Sequence, residues 1–185
     1  MKSRKSFVMK IQLPPSVHHY PAPVVLIGCG TISNPGLITV SWFGTVCSRP
    51  PMISISIRPS RHSYDLIHKS GEFSVNIPFC DDLKIVKYCG SISGREVNKF
   101  TELNLTPRPC PPLNVAPMVE EFPMALACRV KHELSLGTHQ MFVAEILSIH
   151  CNEDLVHSEH HPDSFPERQL VYLDGKYWGL HLESE

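Results

Sequence analysis

The sequence predicts a mainly β fold, a β-barrel with short helices inserted between its strands. Seventeen prolines and ten glycines are spread over the 185 residues, which leaves little room for long helices. Between Met52 and Pro59, three isoleucines alternate strictly with polar residues, as in a strand that buries one face. With 42% hydrophobic and 19% charged residues, the composition is that of a folded chain whose length suits one core. We therefore expect a single domain over residues 1–185.

The other strands are predicted from runs rich in β-branched and aromatic residues. Asn34-Pro35-Gly36 is expected to form the turn between the first two strands. Gly137-Thr138 separates the two longest strands, which we expect to pair antiparallel, and Asp174-Gly175 is expected to turn a hairpin over Val171–Gly179. The remaining predicted strands are Val24–Gly30, Ile38–Gly44, Glu72–Pro78, Met124–Leu136 and His139–Cys151.

Three short helices are predicted between these strands. Ser63 can cap the first helix, and Gly71 ends it. The other two are expected over Asp81–Cys89 and Asn98–Leu103. Because the composition does not change across the proline-rich run Pro107–Pro117, we interpret that run as an extended connector within one domain.

The charge balance argues against a nucleic-acid partner. Seventeen Lys and Arg residues oppose 18 Asp and Glu residues, which gives a net charge of −1. No apolar run approaches the roughly 20 residues of a membrane-spanning helix, and no signal-peptide core follows the basic start. Seven cysteines without a C-x-x-C pair suggest reduced thiols. We therefore expect a cytoplasmic protein with neither a nucleic-acid nor a membrane partner.

A histidine-rich segment near the C-terminus leaves two interpretations open. His157, His160 and His161 lie close to Glu159 and Asp163, which are residue types that bind metals. The segment lacks periodicity and runs into a proline, so a solvated loop is the preferred interpretation. We predict no metal site.

The alternating strand leads into a candidate phosphate site. Ser54 and Ser56 lie on its polar face, Arg58 and Arg61 follow, and Ser63 starts a helix. A terminal phosphate binds guanidinium groups, hydroxyl donors and the free amides of a helix N-terminus, all of which this run offers. The alternative is that the arginines are solvated surface charges and Ser63 is a plain helix cap.

A second polar segment, Thr39–Ser48, suits a flat heteroaromatic ring. Thr39, Ser41 and Thr45 place small donors beside Trp42, although a tryptophan in such a strand can equally be a core residue. The dinucleotide-binding fingerprint is incomplete, because Gly28-Cys29-Gly30 lacks its third glycine, and no phosphate-binding loop motif is present.

In their order and spacing, these segments resemble the flavin reductase-like family, and within it the flavoredoxin and ferric-reductase-type branch. The resemblance covers nearly the whole chain. The matching segments are Pro21–Ile27, Asn34–Gly44, Arg58–Tyr64, Gly71–Pro78, Cys89–Phe100, Leu136–His139 and Tyr172–Gly179.

The resemblance implies an FMN-binding split β-barrel that forms a homodimer, with the flavin near the subunit interface. It implies isoalloxazine contacts for Thr39, Ser41 and Trp42, ribityl contacts for Ser54, Ser56 and Arg58, and phosphate contacts for Arg61 and Ser63. It also implies cofactor contacts for Thr45 and Ser48, a place at the flavin mouth or the phosphate for Arg95 and Lys99, and a place for His139 where a nicotinamide or an acceptor approaches. Asn98 departs from the family pattern, which often has an acidic residue at this position.

Three functions follow from this resemblance. The first is a reductase that moves electrons from NAD(P)H through bound FMN to a small-molecule or protein acceptor, with His139 as the candidate catalytic residue. The second is a flavoredoxin-type carrier with permanently bound FMN and a protein electron donor. The third is a non-enzymatic dimer that has lost the flavin.

Overall fold

Short strands dominate the fold, as the sequence predicts. The computed structural model describes residues 9–17, 20–158, 161–162 and 169–180. The strands are β1 (Ala22–Pro23), β2 (Val25–Gly30), β3 (Pro35–Val40), β4 (Phe43–Ser48), β5 (Pro51–Ile57), β6 (Glu72–Asn76), β7 (Pro107–Pro109), β8 (Pro117–Val119), β9 (Met124–Leu136), β10 (His139–Cys151), β11 (Val156–Ser158), β12 (His161–Pro162), β13 (Leu170–Leu173) and β14 (Lys176–Gly179). The helices are α1 (His62–Ser70), α2 (Leu83–Ser91) and α3 (Lys99–Glu102), with 3₁₀ turns at Cys80–Asp82 and Glu153–Leu155.

Seven strands form one antiparallel sheet that curls into a split barrel. Their order is β3-β2-β6-β9-β10-β5-β4. The two end strands, β3 and β4, are consecutive in the chain and are joined by Ser41-Trp42, so the two ends of the sheet return to the same place. There the Trp42 carbonyl accepts a 3.0 Å hydrogen bond from the Ser56 amide of β5. We call this junction, where β3 and β4 do not pair with each other, the seam.

The barrel interior is built from the residues that alternate along each strand. In β5, Ile53, Ile55 and Ile57 are buried in this core, while Ser54 and Ser56 on the other face stay half-buried. Phe73 and Phe142 complete the centre with no exposed surface. Each such side chain contributes about 1.5–3 kcal/mol to the stability of the fold when it is fully buried. The apolar face that the alternating pattern creates therefore stabilises the barrel. The predicted mainly β barrel is therefore confirmed.

A second core fixes helix α2 and the C-terminal hairpin outside the barrel. Leu26 of β2 and Leu37 of β3 pack there with Val86 of α2, Phe100 of α3 and Leu170 of β13. Strand β2 is thus buried on both faces, which explains its unbroken apolar sequence. This packing brings α2 and the β13–β14 hairpin beside the seam.

The predicted strand Ile38–Gly44 is wrong, because the chain breaks it at Ser41-Trp42 to pass from one end of the sheet to the other. The turn before it is also displaced from its predicted position. It lies at Thr31–Asn34, where the two residues exchange backbone hydrogen bonds of 3.2 and 3.1 Å. Gly36 belongs to β3 instead, where a Cβ atom would lie 2.7 Å from a Leu66 methyl carbon.

The predicted capping role of Ser63 is wrong as well. Helix α1 begins at His62, its N-cap is Arg61, and Ser63 lies buried inside the first turn. The end of the helix is as predicted, since Gly71 adopts the left-handed conformation with φ of 67° and donates to the Ile67 carbonyl. A side-chain cap is present at α3 instead, where Asn98 accepts hydrogen bonds from the amides of Phe100 and Thr101. Position 98 therefore caps α3, a role that aspartate fills equally well.

The longest predicted strands are confirmed, and the proline-rich connector has more structure than expected. Strands β9 and β10 have the predicted bounds and pair antiparallel, and β13 and β14 form the predicted hairpin. The two ends of Pro107–Pro117 pair with each other as β7 and β8. The predicted helix at Asp81–Cys89 lies slightly later, at Leu83–Ser91, after a 3₁₀ turn. Strands β11 and β12 form a small ladder in the histidine-rich segment, whose residues 159, 160 and 163 lie outside the described part of the chain.

Candidate functional site

A cleft of about 960 Å³ lies along the seam of the barrel. One part of its lining comes from the β3–β4 link, the loop after β5 and the first residue of β10. Another part comes from the last turns of α2 and from the β13–β14 hairpin, and Val17, Tyr20 and residues 22–24 complete it. The cleft is thus built where the two ends of the sheet, helix α2 and the hairpin meet.

Six residues of the predicted site line this cleft, namely Thr39 and a group of five. We call the group of five the arginine wall: Ser41, Trp42, Arg58, Arg61 and His139. The same five residues, with Thr39 and Ser56, also line an adjoining cavity of about 210 Å³. The family resemblance assigned these residues to one site, and the structure brings them together although they lie almost 100 positions apart.

The two arginines of this wall have no ion-pair partner in the described part of the chain. Neither Arg58 nor Arg61 has a carboxylate oxygen within 4.0 Å among the residues that the structure describes. A backbone hydrogen bond of 3.0 Å from the Arg61 amide to the Arg58 carbonyl forms the turn that precedes α1. Both guanidinium groups therefore remain available for an anionic ligand.

Trp42 and His139 form an aromatic stack in the same wall. Their ring centroids are 4.2 Å apart, and the rings are inclined by 29°. The Nδ1 atom of His139 lies 2.9 Å from the Thr138 hydroxyl oxygen. Partial burial and the nearby Arg58 charge lower the pKa of His139, so the imidazole is neutral at pH 7.

Lys99 and Arg95 do not line the cleft. The Lys99 amine is buried and donates hydrogen bonds to the carbonyls of Leu37 and Cys89, at 2.8 and 2.7 Å. Burial of this amine lowers the pKa of Lys99. Arg95 donates to the Ser60 carbonyl at 2.6 Å and to the Asp65 carboxylate at 2.7 Å. In this structure, both cations hold backbone segments together.

A small cavity of about 80 Å³ links the buried lysine to the start of α1. It is lined by Arg61, Ser63 and Lys99, among others. The Ser63 side chain contacts the buried Cys29 thiol, whose pKa is raised by burial to about 12. That thiol therefore stays protonated and is not a nucleophile.

The other predicted cofactor residues differ in position. Thr39 lines the cleft, but its hydroxyl donates to the Val86 carbonyl at 2.6 Å, so towards a ligand it can act only as an acceptor. Thr45, Ser48 and Ser54 lie on β4 and β5 and do not line the cleft. Their contacts with a flavin stay predictions. Within the described ranges, no three metal-binding side chains cluster.

Comparison with known proteins identifies the family. Residues 17–181 match the model of the flavin reductase like domain. The chain belongs to the flavin reductase-like family. Flavoredoxin of Desulfovibrio vulgaris (Miyazaki F) superposes with a TM-score of 0.86 and 29% identity over 96% of both chains. Flavoredoxin of Methanosarcina acetivorans gives 0.87 and 29%, over 96% of this chain and 95% of its own.

A curated enzyme component is also similar to this chain. It is the reductase component of the 4-nitrophenol 4-monooxygenase/4-nitrocatechol 2-monooxygenase of Rhodococcus opacus, which is 26% identical over 131 residues. The match covers 71% of this chain and 66% of that protein. The resemblance drawn from the sequence motifs is therefore confirmed at the level of the family.

The sequence analysis did not predict one part of the lining of the cleft. Lys87, Tyr172 and Tyr177 line it together, and we call them the tyrosine wall. Tyr172 and Tyr177 are direct partners in the β13–β14 ladder, so both side chains lie on one face of the hairpin. The Asp174-Gly175 turn signal fixes that register and could have shown the pairing. Nothing in the sequence places Lys87 beside them, because this contact depends on how α2 packs.

Proposed function

We propose that this protein is an FMN-binding oxidoreductase, a flavin or ferric reductase that moves electrons from NAD(P)H through bound FMN to an acceptor. The observation that carries the proposal is a pair of arginines beside the Trp42–His139 stack in an open cleft, with no acidic partner among the described residues. Family membership and the two flavoredoxins among the structural neighbours support a flavin as the ligand.

The phosphate of FMN fits the region around Arg61. Arg58 and Arg61 supply charge-assisted donors, and Ser56 adds a hydroxyl in the adjoining cavity. Helix α1 starts directly after Arg61 without a side-chain cap, so the amides of its first turn also favour an anion. Ser63 is the least accessible of the predicted phosphate ligands, because it is buried against Cys29.

The flavin ring fits the remainder of the arginine wall. Trp42 offers an aromatic surface that is 39% exposed, and Ser41 and Thr39 lie beside it. When bound, FMN supplies the hydride and electron chemistry, and the protein positions the group and controls access to it. The neutral His139 ring contacts Thr138 through Nδ1, which leaves Nε2 to hold or release a proton at the cleft.

A second candidate is a flavoredoxin-type electron carrier with permanently bound FMN and a protein electron donor. The observation that favours it is that both structural neighbours at 29% identity are flavoredoxins. In that case the cleft would not need a nicotinamide site.

We also propose that the protein is a cytoplasmic homodimer. Strand β4 forms one edge of the sheet, and its Val46 is 50% exposed. Leu134 and Leu136 at the end of β9 are also exposed. Exposed strand edges and apolar side chains of this kind are commonly covered by a partner. Among the described residues, none of the helices has the length and apolar character needed to span a bilayer.

A visible absorption spectrum of the purified protein tests flavin binding directly. We expect flavin bands in the protein as isolated, or after incubation with FMN and removal of the excess. Steady oxidation of NADH or NADPH in the presence of free FMN or a ferric chelate then distinguishes a reductase from a carrier. A colourless protein that takes up no FMN would contradict the proposal.

A further inference from the structure

The tyrosine wall of the cleft has a chemistry that FMN binding at the arginine wall does not use. Lys87 comes from α2, and Tyr172 and Tyr177 come from the two strands of the C-terminal hairpin. The cleft volume of about 960 Å³ is near the upper end of the roughly 300–1,000 Å³ found for small-molecule sites. The tyrosine wall and the arginine wall line this cleft with no residue in common, so the two walls can hold separate small ligands.

The two tyrosine rings are fixed relative to each other. Their centroids are 5.2 Å apart, and the rings meet edge to face at 64°. Both side chains are half-buried against the second core, which also holds Val86 and Leu170. The hairpin turn is tight, with left-handed φ values of 49° at Asp174 and 75° at Gly175. A planar ring that binds here meets an aromatic surface that is already in place, so little ordering is needed.

Lys87 adds one positive charge to this surface. Its Nζ lies 6.0 Å from the centroid of the Tyr177 ring. In the part of the chain that the structure describes, this ammonium has no carboxylate partner within 4.0 Å. Burial and the neighbouring Tyr172 raise the pKa of Tyr177, so its hydroxyl stays protonated and can donate a hydrogen bond.

The charges around the cleft favour an anion. Among the residues that the structure describes, the fully charged ones in its lining are Arg58, Arg61 and Lys87 on the positive side and Asp174 on the negative side. Asp174 is exposed at the tip of the hairpin, where water solvates its carboxylate. The three cations therefore dominate the local field.

We propose that the tyrosine wall binds a small planar aromatic carboxylate, with the ring against Tyr172 and Tyr177 and the carboxylate at the Lys87 ammonium. The inference rests on the proposed function in one respect, namely that the phosphate of FMN occupies Arg58 and Arg61. The carboxylate then pairs with Lys87, the remaining cation of the cleft.

Calorimetric titration of the FMN-loaded protein tests this site. The probes are 4-hydroxybenzoate and its uncharged analogue 4-hydroxybenzamide. We expect the carboxylate to bind about 10-fold more tightly than the amide, as for a hydrogen bond between charged groups. Lys87→Gln should remove that preference, and Lys87→Arg should keep it. Lys84→Gln is the matched control, because Lys84 is an exposed lysine of the same helix that does not line the cleft.

Four results would overturn the inference. The first is that 4-hydroxybenzoate does not bind to the FMN-loaded protein, and the second is that both probes bind with equal affinity. The third is that the preference for the carboxylate survives Lys87→Gln. The fourth is that Lys87→Gln weakens the binding of NADH but not that of 4-hydroxybenzoate. FMN titration by flavin fluorescence on the same samples reports separately on the proposed function. If FMN does not bind, the proposed function fails, and Arg58 and Arg61 are open to the carboxylate. The same titrations are then made on flavin-free protein that carries Arg58→Gln and Arg61→Gln, with and without Lys87→Gln, so that they still decide the inference.

Discussion

The indole of Trp42 and the imidazole of His139 stack at 4.2 Å although the two residues belong to opposite parts of the chain. Trp42 lies in the link between the two end strands of the sheet, and His139 is the first residue of β10. The contact joins the seam to the centre of the sheet. It also places a neutral imidazole in the lining of the cleft, and His139 is our candidate for the side chain that handles a proton there.

His139→Ala is therefore expected to slow flavin reduction by about 10-fold or more, the size of a modest acid–base contribution. FMN content and melting temperature should stay close to wild type, because the side chain is only partly buried. Stopped-flow reduction at several pH values measures the effect. An unchanged rate in the fully flavinated variant would remove His139 from the mechanism.

Arg61→Ala is expected to weaken FMN binding by about 1.5–3 kcal/mol, the range for a hydrogen bond to a charged group. Riboflavin affinity should change little, since riboflavin has no phosphate, and the wild type should prefer FMN. Fluorescence titration with both ligands measures this. Arg108→Ala is the matched control, because Arg108 is an exposed arginine paired with Glu120 and does not line the cleft. Equal affinity of the wild type for FMN and riboflavin would contradict the phosphate site.

Lys99→Ala is expected to destabilise the fold by at least about 2 kcal/mol. The substitution leaves the carbonyls of Leu37 and Cys89 without the amine that now binds both of them. Chemical denaturation measures the loss. Lys69→Ala, at an exposed position of α1, should change the free energy of unfolding by less than about 0.5 kcal/mol. A similar small effect at Lys99 would mean that its two hydrogen bonds contribute little.

Acid should lower stability before the carboxylates titrate. The pKa of His62 and that of His139 are both lowered in the folded state, His62 by burial and then by the Arg95 charge, and His139 by burial and then by Arg58. The unfolded chain therefore binds protons first as the pH falls through about 6.5, and the free energy of unfolding decreases below that pH. Denaturation curves recorded from about pH 7.5 to about pH 5.5, on both sides of that pKa, measure the effect. The variant with both histidines changed to asparagine should show a smaller decrease, and an identical decrease would exclude these two groups as its source.

Light scattering should give a mass of about twice 20.8 kDa if the exposed edge strand β4 and the apolar residues of β9 are covered by a second copy. Adding a charge at this surface, as in Val46→Lys, should shift the equilibrium towards the monomer. A wild-type mass near 20.8 kDa would refute the dimer.

The sequence was most informative where one physical signal acts alone. The period-2 pattern of β5 and the Gly71 helix end appear in the structure close to where they were predicted. The gathering of Arg58, Arg61 and His139 was predicted through the family resemblance, because no local pattern brings them together.

The errors occur where tertiary packing overrides a local signal. Gly36 was interpreted as a turn residue, but the close approach of Leu66 explains why a glycine occupies that strand position. Ser63 has the chemistry of a cap, yet packing buries it one residue inside the helix. Lys99 is a different case, because it was predicted to contact the cofactor and in this structure its amine donates to two backbone carbonyls. That predicted contact with the cofactor stays untested.

The seam relates ligand binding to the closure of the barrel. Strands β3 and β4 end the sheet without pairing to each other, and the cleft takes its lining from residues next to both of them. A molecule held by Ser41 and Trp42 on one side and by Arg58 on the other bridges the gap that backbone hydrogen bonds leave open. Under the proposed function, bound flavin would therefore link the two ends of the sheet around the barrel. Removal of the ligand should therefore increase amide hydrogen exchange first in β3 and β4, and only later in β9 and β10 at the centre of the sheet.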